Sequence, residues 1–239
     1  MNDKTFLILG GSHGIGFGIT ERLLRRGGSV VVISRTRGQL DDLDPSLAAN
    51  LTHHAADVTT DAIDTVALPD RIDAMAYCVG SIGLSPLRMT KAESMRQDFE
   101  LNVIGAMRVM QRALPAMKAA ESSSVVLFST VAVGRGLAMH TSVSAAKGAV
   151  EGIARCWAAE LAPHVRVNCI APALTDTPLS ERLLSSDAKR DAMAAVYPLG
   201  RIGHVNDCAS MATFLLSDES SWITGQVIGV DGGLSRVQK

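Results

Sequence analysis

The tightest constraint on this chain's folding is an apolar run, Phe6 to Leu9, that breaks at once into Gly10-Gly11-Ser12-His13-Gly14-Ile15-Gly16. An amphipathic stretch carrying Ile15, Ile19, Leu23 and Leu24 follows immediately, and a second apolar run, Val30 to Ile33, comes after Gly27-Gly28. Buried strand, glycine turn, helix and second strand make a βαβ unit. Gly10 permits the tight turn, Gly14 lets the backbone come close to a ligand, and Gly16 lets the helix pack against the strand. Free backbone N–H groups and the positive end of a helix dipole then meet at one point, which suits a pyrophosphate.

The end of the second strand indicates which nucleotide fits. An acidic residue there would grip an adenosine ribose hydroxyl, but the chain reads Val32-Ile33-Ser34-Arg35-Thr36-Arg37. A guanidinium at Arg35 pairs with a ribose phosphate that a carboxylate would repel, so NADP(H) is favoured over NAD(H). His13, inside the glycine loop, is a second donor for that phosphate. Ser34 and Thr36 flank the same point.

At 239 residues and 47% hydrophobic content, the chain is long enough for one sizeable core, and a single domain over residues 1–239 is expected. A net charge of −1 leaves no electrostatic footprint for nucleic acid or an anionic membrane. No apolar run approaches the length of a membrane span, and no signal peptide is evident, so a cytoplasmic protein is expected. Cys78, Cys156, Cys169 and Cys208 lack metal-ligand spacing and read as reduced core thiols.

Strand-like runs recur at Phe6 to Leu9, Val30 to Ile33, Thr52 to Ala56, Ala74 to Val79, Val125 to Phe128, Val165 to Ile170 and Gln226 to Val230. Long helices are expected at Lys91 to Ala120, Ser142 to Leu161 and Val205 to Leu216. Nearly all-apolar strands alternating with helices imply an α/β protein: a doubly wound Rossmann fold with a seven-stranded, mainly parallel sheet. Leu174 to Pro198 reads as a polar, helix-forming excursion placed to cover a ligand beyond the strand ends.

Beyond the glycine loop, several motifs agree in order and spacing. They are Asp57-Val58, Leu101-Asn102-Val-Ile-Gly105, Ser144-Ala-Ala-Lys147-Gly, Arg166-Val-Asn-Cys-Ile-Ala-Pro172-Ala173-Leu174-Thr175-Asp-Thr177, Pro198-Leu-Gly-Arg-Ile-Gly203 and Ile223-Thr-Gly-Gln-Val-Ile-Gly-Val-Asp-Gly-Gly233. Along essentially its whole length the chain resembles the short-chain dehydrogenase/reductase family. The resemblance implies cofactor contacts at Gly10, Ser12, His13, Gly14, Ile15 and Gly16. It extends them to Asp57 and Val58 at the adenine, Val79 and Gly80 beside the ring, and Lys147 on the nicotinamide ribose. Pro172, Ala173, Leu174, Thr175 and Thr177 would pack on the nicotinamide. It also implies a homo-oligomer, tetramer or dimer, and a small-molecule substrate.

The same resemblance exposes a gap. The family's proton-donating tyrosine, four residues before the lysine, corresponds to Val143, which can neither donate nor accept a proton. The family's serine corresponds to Thr130, and its Asn-Asn-Ala-Gly motif has become Tyr77-Cys78-Val79-Gly80. Candidate catalytic residues are thus Asn102, Thr130, His140 and Lys147. His140 lies seven positions before Lys147, the same face if both are helical. A water held by Asn102 and Lys147 is a second proton source. Tyr77, Tyr197 and Asp176 are weaker candidates. Expected pocket walls at Ser81 to Leu87, Gly134 to Met139 and Leu174 to Tyr197 are mostly apolar. Two functions compete: an atypical NADP(H)-dependent oxidoreductase passing hydride to a small apolar carbonyl or conjugated enone, and a non-catalytic NADP(H)-binding sensor or assembly subunit.

Overall fold

A computed structural model describes residues 1–237. Seven strands, β1 (Thr5–Leu9), β2 (Ser29–Ser34), β3 (Leu51–Ala55), β4 (Ala74–Tyr77), β5 (Ser123–Phe128), β6 (Val165–Pro172) and, last in the chain, β9 (Val227–Val230), form one sheet. Their order is β3-β2-β1-β4-β5-β6-β9, and every neighbouring pair is parallel. Order reverses between β1 and β4, and at such a switch point a crevice opens beyond the strand ends. Two short strands, β7 (Thr175–Asp176) and β8 (Gly203–His204), pair separately.

Helices cover both faces, and strand alternation assigns the core to each. Leu7, Leu9, Met75, Val125, Leu127, Val165 and Val167 point to one face, where α4 (Gly105–Lys118) and α6 (Thr141–Leu161) bring Val109, Met117, Val150 and Ala154. Phe6, Ile8, Val30, Val32, Ala76 and Val126 point to the other, where α1 (Gly14–Arg25) and α8 (Val205–Leu215) bring Ile19, Leu23, Ala209 and Leu215. With both faces buried, the central strands β1, β2 and β4 are almost wholly apolar and lack polar alternation, whereas the edge strand β3 (Leu-Thr-His-His-Ala) is partly exposed and polar. The remaining helices are α2 (Pro45–Ala48), α3 (Ala92–Phe99), α5 (Val131–Arg135) and α7 (Asp187–Val196). None of the described helices is long and apolar enough to cross a membrane.

Three expectations need correction. The single helix expected from Lys91 to Ala120 is divided by a π-helical turn, Glu100–Ile104, between α3 and α4. Widening the turn leaves the Leu101 carbonyl outside the usual ladder, and the Tyr77 hydroxyl donates to it at 2.6 Å. A Cβ on Gly105 would lie 2.6 Å from that phenol oxygen, so the bulge, the glycine and the tyrosine depend on one another. Cys156 is exposed on α6 rather than in the core, while Cys169 and Cys208 are buried and Cys78 half-buried. The excursion from Leu174 to Pro198 is not purely helical, because it opens with β7 before a 3-10 helix at Pro178–Leu184 and then α7.

Candidate active site

A cleft of about 830 Å3 runs along the carboxyl ends of β1, β2 and β4. Gly10 and residues 12–16 form its floor. Ser34, Arg35, Thr36, Asp57, Val58, Val79, Gly80 and Thr177 line its sides. Gly10 has φ +74°, a conformation that side chains disfavour, and its N–H bonds the Ile33 carbonyl at 2.8 Å. A Cβ on Gly16 would sit 2.2 Å from the Gly10 carbonyl oxygen, so no other residue lets α1 start so close to β1. No acidic residue occupies the first turn of α1, and its N-cap, His13, makes no side-chain cap bond. Apart from the Gly14 N–H, which the Gln39 side chain takes, the helix end is therefore open to an anion.

Two residues absent from the sequence argument shape this end. Gln39 accepts from the Gly14 N–H through Oε1 at 2.9 Å and donates its own N–H to the Ser12 carbonyl at 3.0 Å, clamping the segment after β2 onto the glycine loop. His53, on β3, lies 2.9 Å from the Ser34 hydroxyl. That hydroxyl gives its one proton to the Thr36 carbonyl at 2.8 Å, so His53 Nε2 must be the donor to it. Ser34 is thereby committed within the protein. Arg37 is engaged by Asp41 at 2.6 Å, whereas Arg35 makes no ion pair among the described residues and lines the cleft. Neither Gln39 nor His53 carries a motif that marks it in the sequence. Asp57 accepts from the Thr59 hydroxyl and N–H at 2.7 and 2.9 Å, and these bonds hold its carboxyl below the usual range.

Gly80 lines the other end of the cleft, and Lys147 and Asn102, outside the lining, meet beside it. Lys147 is 7% exposed, and its ammonium donates to the Phe128 carbonyl at 2.8 Å. Burial pulls its pKa down from 10.5 to about 8. Asn102, 1% exposed, donates from Nδ2 to the Asp98 carbonyl at 2.8 Å, while its buried Oδ1 has no partner. Lys147 Nζ and Asn102 Oδ1 lie 3.2 and 3.4 Å from the point a Cβ on Gly80 would occupy. One polar atom placed there would reach both, and only glycine leaves that point free.

The other candidates separate. Thr130 caps α5, its Oγ1 accepting from the Ala132 N–H at 3.3 Å, so its own proton stays free to donate. Val143 is buried. His140 is the N-cap of α6, with φ −98° and ψ 15°, so the same-face argument that assumes a helix through His140 does not hold. Its Nδ1 sits 2.7 Å from the Ala138 carbonyl and must be the donor. Tyr77 is tied to Leu101, and burial raises its pKa far above the ordinary phenol value. The Tyr197 hydroxyl accepts from the Leu174 N–H at 3.1 Å, and Asp176 is ion-paired with Arg190 at 2.6 Å. Ala173, Leu174 and Thr175 border a different cavity of about 540 Å3 beside α8, and Pro172 lines neither. In that cavity Arg201 and Asp207 neutralise each other at 2.7 Å. Gln97, Glu100 and Leu101 line the first cleft without having been anticipated, while Pro178 and Leu179 come from the wall expected at Leu174 to Tyr197.

Residues 10–235 match the family model described as enoyl-(acyl carrier protein) reductase. The chain is 32% identical to 3-oxoacyl-(acyl-carrier-protein) reductase FabG of Thermotoga maritima, an alignment that covers 98% of each protein. Its fold superposes with a TM-score of 0.89 on a short-chain type dehydrogenase/reductase from Mycobacterium ulcerans, 33% identical, covering 98% of this chain and 90% of that one. It also superposes on the protein ElxO with NADP bound, TM-score 0.88, 26% identical, covering 98% and 99%. With the parallel sheet, the glycine cleft and these matches together, the chain belongs to the short-chain dehydrogenase/reductase family of oxidoreductases.

Proposed function

We propose that this protein is an NADP(H)-dependent oxidoreductase, a single domain of residues 1–239 that passes hydride to a small apolar carbonyl or conjugated enone. The observation that carries the reading is the cleft itself: a glycine floor at an open helix N-terminus, with the unpaired Arg35 and no acid at the end of β2. The residues fit the cofactor by shape as well as charge, since Gly80 leaves room that a Cβ would fill, and the orphaned Asn102 Oδ1 beside it lacks a partner. A neighbour of the same fold holds NADP.

The bound nicotinamide supplies the hydride. Arg35, with Thr36 and His13 beside it, holds the ribose phosphate. Backbone N–H groups of Ser12, His13 and Ile15 take the pyrophosphate, with the Gly14 N–H held by Gln39, and Asp57 and Val58 border the adenine. The Lys147 ammonium holds the nicotinamide ribose, and Asn102 with Lys147 holds a water. Thr177, at the start of the excursion, closes the side of the cleft. As charge grows on the substrate oxygen, the Thr130 hydroxyl donates to it and the water held by Lys147 provides the proton. His140 is an alternative donor only when protonated, because its neutral ring has Nδ1 committed to Ala138. An enone needs least from this site: its enolate requires hydrogen-bond donors during hydride transfer and takes a proton later from solvent.

The test is loss of NADPH absorbance in a stopped-flow instrument with a panel of ketones and enones. Turnover of an enone or apolar ketone is expected, and none across the panel at saturating cofactor overturns the reading. Burial of Val143 where a proton donor would be useful favours the second reading, a cofactor-binding subunit without turnover. Activity that appears only in Val143→Tyr selects it.

A further inference from the structure

Asp98 belongs to none of the roles assigned so far. It lies on α3, 8% exposed, and makes no ion pair among the described residues. A buried carboxylate without a cation in contact is costly unless other donors hold it. Here two hydroxyls do: Ser81 Oγ donates to Oδ1 at 2.6 Å, and Ser142 Oγ donates to Oδ2 at 2.5 Å. The first follows Gly80, which lines the cleft, in the loop after β4, and the second precedes Val143 on α6. The carboxylate thus ties together the loop after β4, α3 and the start of the lysine helix. Through Asn102, which donates to the Asp98 carbonyl and turns Oδ1 toward the space above Gly80, the same residue is joined to the surroundings of Lys147.

Lys147 is a buried cation with one carbonyl acceptor, and its charge has to be balanced from somewhere. The groups whose negative charge would favour its protonated form are Cys169 on β6, Cys78 after β4 and, more weakly, Asp98 on α3. Burial pushes the Cys169 thiol up to about 12 and raises Cys78, packed against the α1 and α8 core, further still. Both are therefore neutral thiols at physiological pH. Glu151, one turn along α6, is occupied by Ser129 at 2.8 Å and by Arg155 at 3.4 Å. Val143 contributes no ionisable group.

We propose that Asp98 is a positioning residue whose carboxylate, tethered by Ser81 and Ser142, is the buried counter-charge that keeps Lys147 an ammonium ion. The use made of that ammonium rests on the proposed NADP(H) site, but the electrostatic relation does not. Asp98→Asn keeps the shape and the hydroxyl acceptor and deletes the charge, so Lys147 should lose its proton at lower pH.

Melting temperature against pH, measured without ligand on wild type, Lys147→Met and Asp98→Asn, tests this. The part of the alkaline rise in stability that Lys147→Met removes should begin at least about half a pH unit lower in Asp98→Asn. NADPH titrated by fluorescence should show its alkaline loss of affinity displaced by the same amount, with affinity at pH 6.5 within about threefold of wild type. An unmoved profile, or a uniform loss of affinity at every pH, overturns the assignment and leaves Asp98 a structural tie. Should Asp98→Asn fail to fold, Ser142→Ala, which loosens the carboxylate, should move both profiles the same way by less, and no movement counts against it. Absence of NADPH binding by wild type, with the ligand-free profile still displaced in Asp98→Asn, supports the counter-charge and removes only the cofactor reading.

Discussion

The two ends of the cleft are built from different materials. At the β1–α1 end the work is done by backbone: Gly10 at φ +74°, Gly16 with no room for a Cβ, and N–H groups at a helix start whose N-cap residue makes no side-chain bond. At the Lys147 end it is done by side chains brought from α3, the π-helical turn, β4 and α6, with buried charge and an orphaned amide oxygen. A backbone site tolerates almost no change at its glycines and is indifferent to its other side chains. A side-chain site depends on several residues from distant segments, and a change in one alters the surroundings of the others.

That contrast sets the order of expected effects. Gly16→Val should be the most damaging, because the clash is with the Gly10 carbonyl and not with a movable side chain. Overpacking of this kind costs about 1–3 kcal/mol or more. A melting curve with an NADPH titration should find loss of stability together with loss of binding, and retained affinity would mean the helix start is not the phosphate site.

Arg35→Glu comes next. A charge-assisted bond contributes roughly 1.5–3 kcal/mol, so affinity for NADPH should fall about tenfold to a hundredfold while NADH changes little. Arg37→Glu should do much less, since Asp41 already occupies that guanidinium. Equal losses for the two variants would show that the pairing with Asp41 does not discriminate between them.

At the side-chain end, Lys147 has a folded pKa near 8, below its ordinary 10.5. Between those values the unfolded chain holds a proton that the folded protein has released, so stability rises with pH across that window. Lys147→Met should abolish this component of the rise, as read from melting temperatures at pH 7.5 and pH 10. Identical slopes in the two proteins would place the ammonium in water.

The smallest effect is expected from His140→Ala. With the ring at the helix N-cap and Nδ1 on the Ala138 carbonyl, turnover should fall by less than about tenfold. A loss of tenfold or more would make His140 the proton donor.

Legibility in the sequence followed the same division. The glycine turn, the apolar strands and the helix pattern each depend on local spacing, so the sheet, its two coverings and the cleft floor were all readable from Phe6 to Ile33 and the runs that follow. What escaped depends on contacts between distant segments. The π-helical turn arises because Tyr77 reaches the Leu101 carbonyl across Gly105, and no periodicity in Lys91 to Ala120 announces it. Gln39 and Asp98 look like surface polar residues until the fold sets one on the glycine loop and the other between two serines. His140 stands just ahead of α6, as a helix expected from Ser142 implies, so the seven-residue spacing to Lys147 does not put the two on one helix face.

Isothermal titration of the purified protein with NADPH and with NADH at pH 7 bears on the whole account. Binding of NADPH at least about tenfold tighter than NADH is expected, with the preference removed by Arg35→Glu. Folded protein that takes up neither coenzyme, or that prefers NADH, would contradict it.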